Sequence, residues 1–186
     1  MNVEIWSDLI CPWCGVGQRR LERAIEGFEH REQVAVRHRS FELDPRPRQT
    51  VRSVREMLKE KYGWSPAQME AAFQRIEGLA AEEGIRPYHV GDNLSGNTRL
   101  AHELLAFASQ QGKEHHAWAR LYRAYFGEQR SIFDVDSLVA LGGELGLDME
   151  EVRLSLSDGR FSETVLADER EARALGCTGV PFVVID

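Results

Sequence analysis

The segment that decides the fold is Val3-Glu4-Ile5-Trp6-Ser7-Asp8-Leu9-Ile10-Cys11-Pro12-Trp13-Cys14-Gly15-Val16-Gly17. Residues 3–7 alternate apolar and polar side chains of β-favouring types, which predicts a short strand. Apolar residues then recur at helical spacing as far as about Gly27. A Cys-x-x-Cys pair therefore stands where a strand turns into a helix.

The two cysteines of this motif are predicted to form a redox pair. Residues i and i+3 on the first turn of a helix point to the same side, so Cys11 and Cys14 lie close enough to bridge. The start of a helix also offers unpaired N–H groups and the positive end of the dipole, which stabilise a thiolate. We therefore predict that Cys11, with the better solvent access, is the nucleophile and Cys14 the resolving thiol.

Two other interpretations of the pair have less support. Zinc usually takes four ligands, but the only further cysteine is Cys177, and paired histidines at ligand spacing are lacking. Two buried thiols without chemistry would not explain the proline between them, which suits a helix start. No metal is predicted.

Composition limits the function classes. The chain has 186 residues, of which 42% are hydrophobic and 28% charged, as in an ordinary globular protein. Its net charge of −7 argues against general nucleic-acid binding, and no apolar run approaches the ~18 residues of a membrane span. The start of the chain does not resemble a secretory signal, so we expect a cytoplasmic protein, although a processed secreted form would look similar.

The rest of the chain predicts a helical insertion between strands. A second strand over residues 33–41 ends at Asp44-Pro45-Arg46-Pro47, and strand, helix and strand together predict a parallel βαβ unit. From about Thr50 to Leu175 the pattern is almost wholly helical, with Ser65 and Asn97 as N-caps and no strand. A basic run from Arg46 to Lys61, interrupted by glutamates, is interpreted as a solvated face. Residues 182–185 return to strand character.

These motifs together resemble one known family. Cys-Pro-Trp-Cys after a strand, a second strand ending in Phe-Glu-Leu-Asp-Pro, and Thr-Gly-Val-Pro before the last strand are similar to the DsbA-like branch of the thioredoxin superfamily, and most to its FrnE-like dithiol-disulfide isomerases. The resemblance implies an α/β, thioredoxin-like fold with a discontinuous core, residues 1–46 and 176–186. Residues 47–175 would form a large inserted all-helical domain. A further strand and helix of the family would be missing after Asp186.

The resemblance also implies a substrate site. A cis peptide bond before Pro181 would face the Cys11 sulfur, and the backbone of Val180 would pair with an extended substrate. The implied substrate-binding residues are Pro12, Trp13, Asn97, His102, Thr178, Gly179, Val180 and Pro181.

Three residues near this site have two interpretations each. Asp8 would accept the proton of Cys14 or cap the strand end. For His102, a helix residue satisfied inside the helical domain is favoured over a site role. Cys177 is interpreted as a small buried hydrophobe, with a mixed disulfide to Cys11 as the alternative.

The predicted function is that of a thiol-disulfide oxidoreductase or isomerase. Its partners would be disulfide-containing proteins or small thiols, without metal or organic cofactor, and with glutathione as an optional redox partner. An exposed edge strand would allow a homodimer. Two alternatives stay open: a glutathione-dependent transferase or isomerase of the kappa-class and hydroxychromene-carboxylate isomerase type, which carries serine at the position of Cys11, and a non-enzymatic redox sensor or holdase.

Overall fold

A three-stranded sheet carries the cysteine motif. The computed structural model describes residues 1–45 and 51–186. Strand β1 (Asn2–Ser7) lies between β2 (Ala35–Ser40) and β5 (Phe182–Ile185), parallel to the first and antiparallel to the second. Helix α1 (Pro12–Glu26) connects β1 to β2. The predicted parallel βαβ unit is therefore confirmed.

The long segment between β2 and β5 is mainly helical, as predicted. Its helices are α2 (Val54–Tyr62), α3 (Pro66–Glu82), α4 (Arg99–Gln110), α5 (Glu114–Tyr122), α6 (Val135–Glu144), α7 (Met149–Ser157) and α8 (Ser162–Ala174). Residues 123–127 continue α5 as a π-helical turn.

The expectation that this segment contains no strand is wrong in one place. Strands β3 (Arg52–Ser53) and β4 (Leu94–Ser95) pair in antiparallel register. Two residues per strand are too few to produce a period-2 pattern, so the sequence gives no signal for them.

The predicted helix starts agree with the structure within two residues. Ser65 accepts a hydrogen bond from the backbone N–H of Gln68, whose side chain accepts one from the N–H of Ser65 in return. Helix α4 begins at Arg99, whose N–H donates to Asn97 Oδ1 at 3.0 Å. Both predicted capping side chains therefore bond to the start of their helices.

Helix α8 packs against the sheet. The indole N–H of Trp6 donates to the carbonyl of Asp168 at 2.9 Å, and the Asp168 carboxylate accepts from the N–H of Ser40 and from Arg39, each at 2.9 Å. These contacts tie the last helix to β1 and β2. The division of the chain at 46/47 and 175/176 stays a prediction, and its first boundary lies outside the described residues.

The main hydrophobic core joins the cysteine motif to the helices. Cys11, Cys14 and Val16 belong to one cluster of buried side chains with residues of α2 to α7 such as Phe73 and Leu104. The start of α1 therefore rests on the helical segment. None of the helices within residues 1–45 and 51–186 is long and apolar enough to cross a membrane.

The outer strand β5 presents two apolar side chains to solvent. Val183 is 47% exposed and Ile185 62% exposed. The homodimer that the sequence suggested stays a prediction.

Candidate active site

The two motif cysteines lie together at the start of α1. Cys11 is the N-cap residue, with Pro12 at the first helical position, and Cys14 lies in the first turn. The backbone N–H of Cys14 donates to the carbonyl of Cys11, and that of Cys11 to the carbonyl of Asp8, both at 3.1 Å. Cys11 is 4% exposed and Cys14 is 1% exposed. The outer member of the pair is therefore Cys11.

The environment of Cys14 keeps it protonated. Burial raises the pKa of the Cys14 thiol well above its ordinary value, and the neighbouring Cys11 sulfur raises it further through a hydrogen bond and its charge. A backbone hydrogen bond at Asp8 and, to a smaller extent, one from the Ser7 hydroxyl lower this pKa. Because burial dominates, Cys14 stays a thiol at neutral pH, which suits a residue that waits to react second.

The loop before β5 faces Cys11. The Val180–Pro181 peptide bond is cis, and the Cys11 thiol donates to the carbonyl of Val180 at 3.5 Å. In the same loop, Thr178 is exposed and Gly179 half-buried, and the carbonyl of Gly179 accepts from the Cys177 thiol at 3.2 Å. The structure therefore brings the Val180 backbone to the predicted nucleophile.

Asp8 is fully buried and caps the end of β1. Its carboxylate accepts hydrogen bonds from the N–H of Leu43 at 2.7 Å and of Ile10 at 3.4 Å. His102 is also fully buried, with Nε2 3.4 Å from Asp8 Oδ1. These contacts fit the capping interpretation of Asp8.

Five of the eight residues that the resemblance placed in the cleft do not line the cavity beside Cys11, namely Asn97, His102, Thr178, Gly179 and Pro181. His102 lies inside the protein, in edge contact with Trp118, so it cannot touch a substrate in this arrangement. The side-chain amide of Asn97 donates to Glu42 Oε2 at 2.7 Å and to the carbonyl of Asp44 at 3.0 Å. Asn97 therefore holds the chain after β2.

Two buried tyrosines donate hydrogen bonds to the motif, and no pattern in the sequence indicated them. The hydroxyl of Tyr88 donates to the carbonyl of Pro12 at 2.7 Å, and that of Tyr122 to the carbonyl of Asp8 at 3.3 Å. Burial raises the pKa of both phenols, so both remain hydrogen-bond donors. Gly15 makes room for the first contact, since a Cβ there would lie 2.5 Å from the Tyr88 hydroxyl oxygen.

A cavity of about 890 Å³ opens beside Cys11. Cys11, Pro12, Trp13 and Val180 line it on one side, and residues of α2 and α3 line it on the other. Trp13 is 41% exposed and stands at the rim, where the resemblance placed it. Cys11, the predicted nucleophile, therefore borders a large, mainly apolar space.

Comparison with known proteins shows the family. Residues 2–186 match the model of the DSBA-like thioredoxin domain. The chain belongs to this family. A probable DsbA oxidoreductase from Streptomyces coelicolor is 46% identical and superposes with a TM-score of 0.96, over 100% of this chain and 80% of that one. The uncharacterized protein YwbO of Bacillus subtilis is 29% identical over 186 residues, which are 100% of this chain and 86% of its own.

More distant members of the DSBA-like fold share the architecture. The cytosolic disulfide reductase DsbM from Pseudomonas aeruginosa is 21% identical, with a TM-score of 0.66 over 100% of this chain and 85% of that one. At this identity the likeness concerns the fold alone. The predicted thioredoxin-like fold and DsbA-like family are thus confirmed, while the FrnE-like subtype stays a prediction.

Proposed function

We propose that the protein is a thiol-disulfide oxidoreductase in which Cys11 is the nucleophile and Cys14 the resolving thiol. The observation that carries the proposal is the asymmetry of the pair. Cys11 caps the start of α1 and lines the cavity, whereas Cys14 is 1% exposed and its pKa is raised by burial. A thiol pair of this kind attacks from its outer member and closes with its inner one.

The reaction runs in two balanced steps. The Cys11 thiolate attacks one sulfur of a substrate disulfide, forms a mixed disulfide and releases the other sulfur as a thiolate. Cys14 then loses its proton to solvent and attacks the Cys11 sulfur, which forms the Cys11–Cys14 disulfide and releases the second substrate thiol. Two electrons pass from the protein to the substrate, and the reverse sequence oxidises a dithiol.

The proposed partners are proteins or small molecules that contain a disulfide or a pair of thiols. The Val180 backbone, whose carbonyl lies 3.5 Å from Cys11 Sγ, would orient the attacked sulfur. The cycle uses neither metal nor organic cofactor, and glutathione would serve as a redox partner that resets the pair. We also propose a reducing compartment such as the cytoplasm, where a Cys-x-x-Cys bond cycles.

The decisive experiment is the equilibrium reduction potential of the pair in glutathione buffers, with the disulfide counted by mass spectrometry. A potential of about −120 to −180 mV would indicate a disulfide donor or isomerase, and one near about −270 mV a reductase. Cys11→Ser should abolish insulin reduction, and Cys177→Ala is the matched control that should retain it.

The transferase alternative makes a different prediction. If Cys11 only holds the sulfur of glutathione, Cys14→Ser should leave activity intact, and glutathione buffers should yield an adduct on Cys11 without an intramolecular disulfide. That result would contradict the oxidoreductase proposal. A disulfide that forms without accelerated insulin reduction or oxidation would instead favour a redox sensor.

A further inference from the structure

The cavity beside Cys11 is larger than an attack on a bare disulfide requires. Its volume of about 890 Å³ lies in the range of roughly 300–1,000 Å³ that is typical of pockets enclosing a whole small ligand. Cys11 and Trp13 stand at one side of it, and helices α2 and α3 provide the other. The site can therefore recognise groups well beyond the reacting sulfur.

The wall opposite Cys11 is apolar and partly aromatic. Its members include Met57 and Leu58 of α2, Trp64 between the helices, and Phe73 and Ile76 of α3. Phe73 and Ile76 are only 3% and 6% exposed, so the surface that this wall offers to a ligand comes mainly from the half-buried Met57, Leu58 and Trp64. A flat aromatic or branched aliphatic group would bury its surface against this wall.

The charged residues that line the cavity are three cations and two anions, so an excess of one positive charge remains: Arg52, Lys61 and Arg75 against Asp44 and Glu60. Arg52 lines the cavity but is neutralised by an ion pair with Glu60, which lines it too. Lys61 and Arg75 also line the cavity, and neither forms an ion pair with any residue among 1–45 and 51–186. The Lys61 Nζ atom lies over the ring of Tyr62, 5.4 Å from its centroid.

We propose, resting on the function above, that the site takes small disulfides whose apolar, preferably aromatic, body carries a carboxylate. The apolar body would lie against α2 and α3. The positive charges of Lys61 and Arg75 would attract the carboxylate. A mainly apolar pocket with a few charged groups is the usual composition of a small-molecule site. The basic run of the sequence is thus not only a solvated face, since Lys61 belongs to the cavity.

A suitable probe is 5,5′-dithiobis(2-nitrobenzoate), an aromatic disulfide with one carboxylate on each ring. Cys11 attacks one sulfur and releases one thionitrobenzoate, and Cys14, after losing its proton, displaces the second while the Cys11–Cys14 disulfide forms. The uncharged comparison probe is 4,4′-dithiodipyridine. Both release a coloured thiol, so stopped-flow absorbance gives the two second-order rate constants of the reduced protein.

The test compares the double variant Lys61→Gln/Arg75→Gln with the control Lys59→Gln, an exposed lysine of α2 outside the cavity lining. We expect the double variant to react about fivefold more slowly than wild type with the charged probe, because it loses the equivalent of two exposed ion pairs. With the uncharged probe its rate should stay within about twofold of wild type. About 0.5 M salt should remove the difference, because it screens exposed charges. The control should match wild type with both probes.

An equal rate of wild type and double variant with the charged probe would overturn the proposal, as would an equal loss with both probes. A preference for an extended disulfide-containing peptide that is insensitive to these variants would assign the cavity to peptides and overturn it as well.

A binding measurement separates this proposal from the redox function. In Cys11→Ser, 2-naphthoate should quench tryptophan fluorescence at lower concentration than uncharged 2-naphthalenemethanol, and the double variant should bind both equally. If Cys11→Ser shows this preference for 2-naphthoate while the wild-type protein forms no Cys11–Cys14 disulfide, the cavity assignment stands and the proposed function fails. If a disulfide forms but the carboxylate gives no advantage, only the cavity assignment fails.

Discussion

The Cys11–Cys14 site and the surroundings of Cys177 contain equally buried sulfurs in opposite settings. Cys11 is 4%, Cys14 1% and Cys177 7% exposed. Cys11 and Cys177 even donate to carbonyls of the same loop, those of Val180 and Gly179. Burial alone therefore does not distinguish a reactive cysteine from a structural one.

Cys11 and Cys177 differ in the kind of helix end that each adjoins. Cys11 caps the amino-terminal end of α1, where the dipole favours negative charge. Cys177 follows the carboxyl-terminal end of α8, where Gly176 has φ of +83° and the N–H of Cys177 donates to the carbonyl of Ala172 at 2.9 Å. This is a Schellman arrangement, and its apolar contact is Cys177 against Ala172.

The lesson is that position relative to a helix, a cavity and a second thiol assigns the chemistry. Cys11 has all three, whereas Cys177 packs with Trp6 and Phe41 in a small cluster of its own. The interpretation of Cys177 as a small buried hydrophobe agrees with these contacts.

The largest expected effect is a difference in alkylation rate. In the reduced native protein, iodoacetamide should modify Cys11 about a hundredfold faster than Cys177, because Cys11 stands at a helix start and lines the cavity whereas Cys177 does neither. Peptide mapping over time measures both rates in one sample. Comparable alkylation rates for the two cysteines would contradict the distinction between a reactive Cys11 and a structural Cys177.

Gly15, in the first turn of α1, and Gly176, just after the end of α8, should respond differently to substitution by alanine. Gly15→Ala drives its Cβ against the Tyr88 hydroxyl, so we expect a loss of about 2 kcal/mol in the free energy of unfolding together with slower insulin reduction. Gly176→Ala strains a left-handed residue and should cost about 1 kcal/mol without loss of activity. Urea unfolding and the insulin assay check the pair. If Gly176→Ala were fully folded and still lost activity, the placement of Gly176 outside the active site would be contradicted.

Ser7 should contribute to the pH dependence of the second step, which burial of Cys14 dominates. Since only the thiolate of Cys14 attacks and its pKa is raised, the decay of the mixed disulfide should accelerate as pH increases through neutrality. Ser7→Ala removes a hydrogen bond that lowers this pKa, so the same rate should be reached only at higher pH, and the rate at pH 7 should fall about fivefold. Stopped-flow decay between pH 6 and 9 measures it, with the buried Ser155→Ala of α7 as control.

The smallest effect is expected for Cys177→Ala. It removes the hydrogen bond to Gly179 and one sulfur from a small cluster, which should cost about 1 kcal/mol of stability. The reduction potential of the Cys11–Cys14 pair should stay within about 10 mV of wild type, far below the 30 mV that a tenfold change represents. A mixed disulfide between Cys11 and Cys177 in the oxidised wild type would contradict this prediction.

Local patterns predicted much of the fold and the centre of the site. A few neighbouring residues were enough to predict the first strand, the cysteine motif at the helix start, the capping by Ser65 and the final strand. Caps and periodicity act over only one or two turns. The two-residue strands β3 and β4 were missed because they are too short for any such pattern.

The sequence by itself determined that two thiols stand at i and i+3 where β1 is followed by α1, and it predicted that they react. Only the tertiary structure decided what surrounds them, namely Ser7 beside Cys14, Tyr88 and Tyr122 behind the motif, and the wall of α2 and α3 across the cavity. It also decided that His102 lies inside the protein. These contacts join residues far apart in the chain, so they depend on how helices pack, which no local pattern encodes.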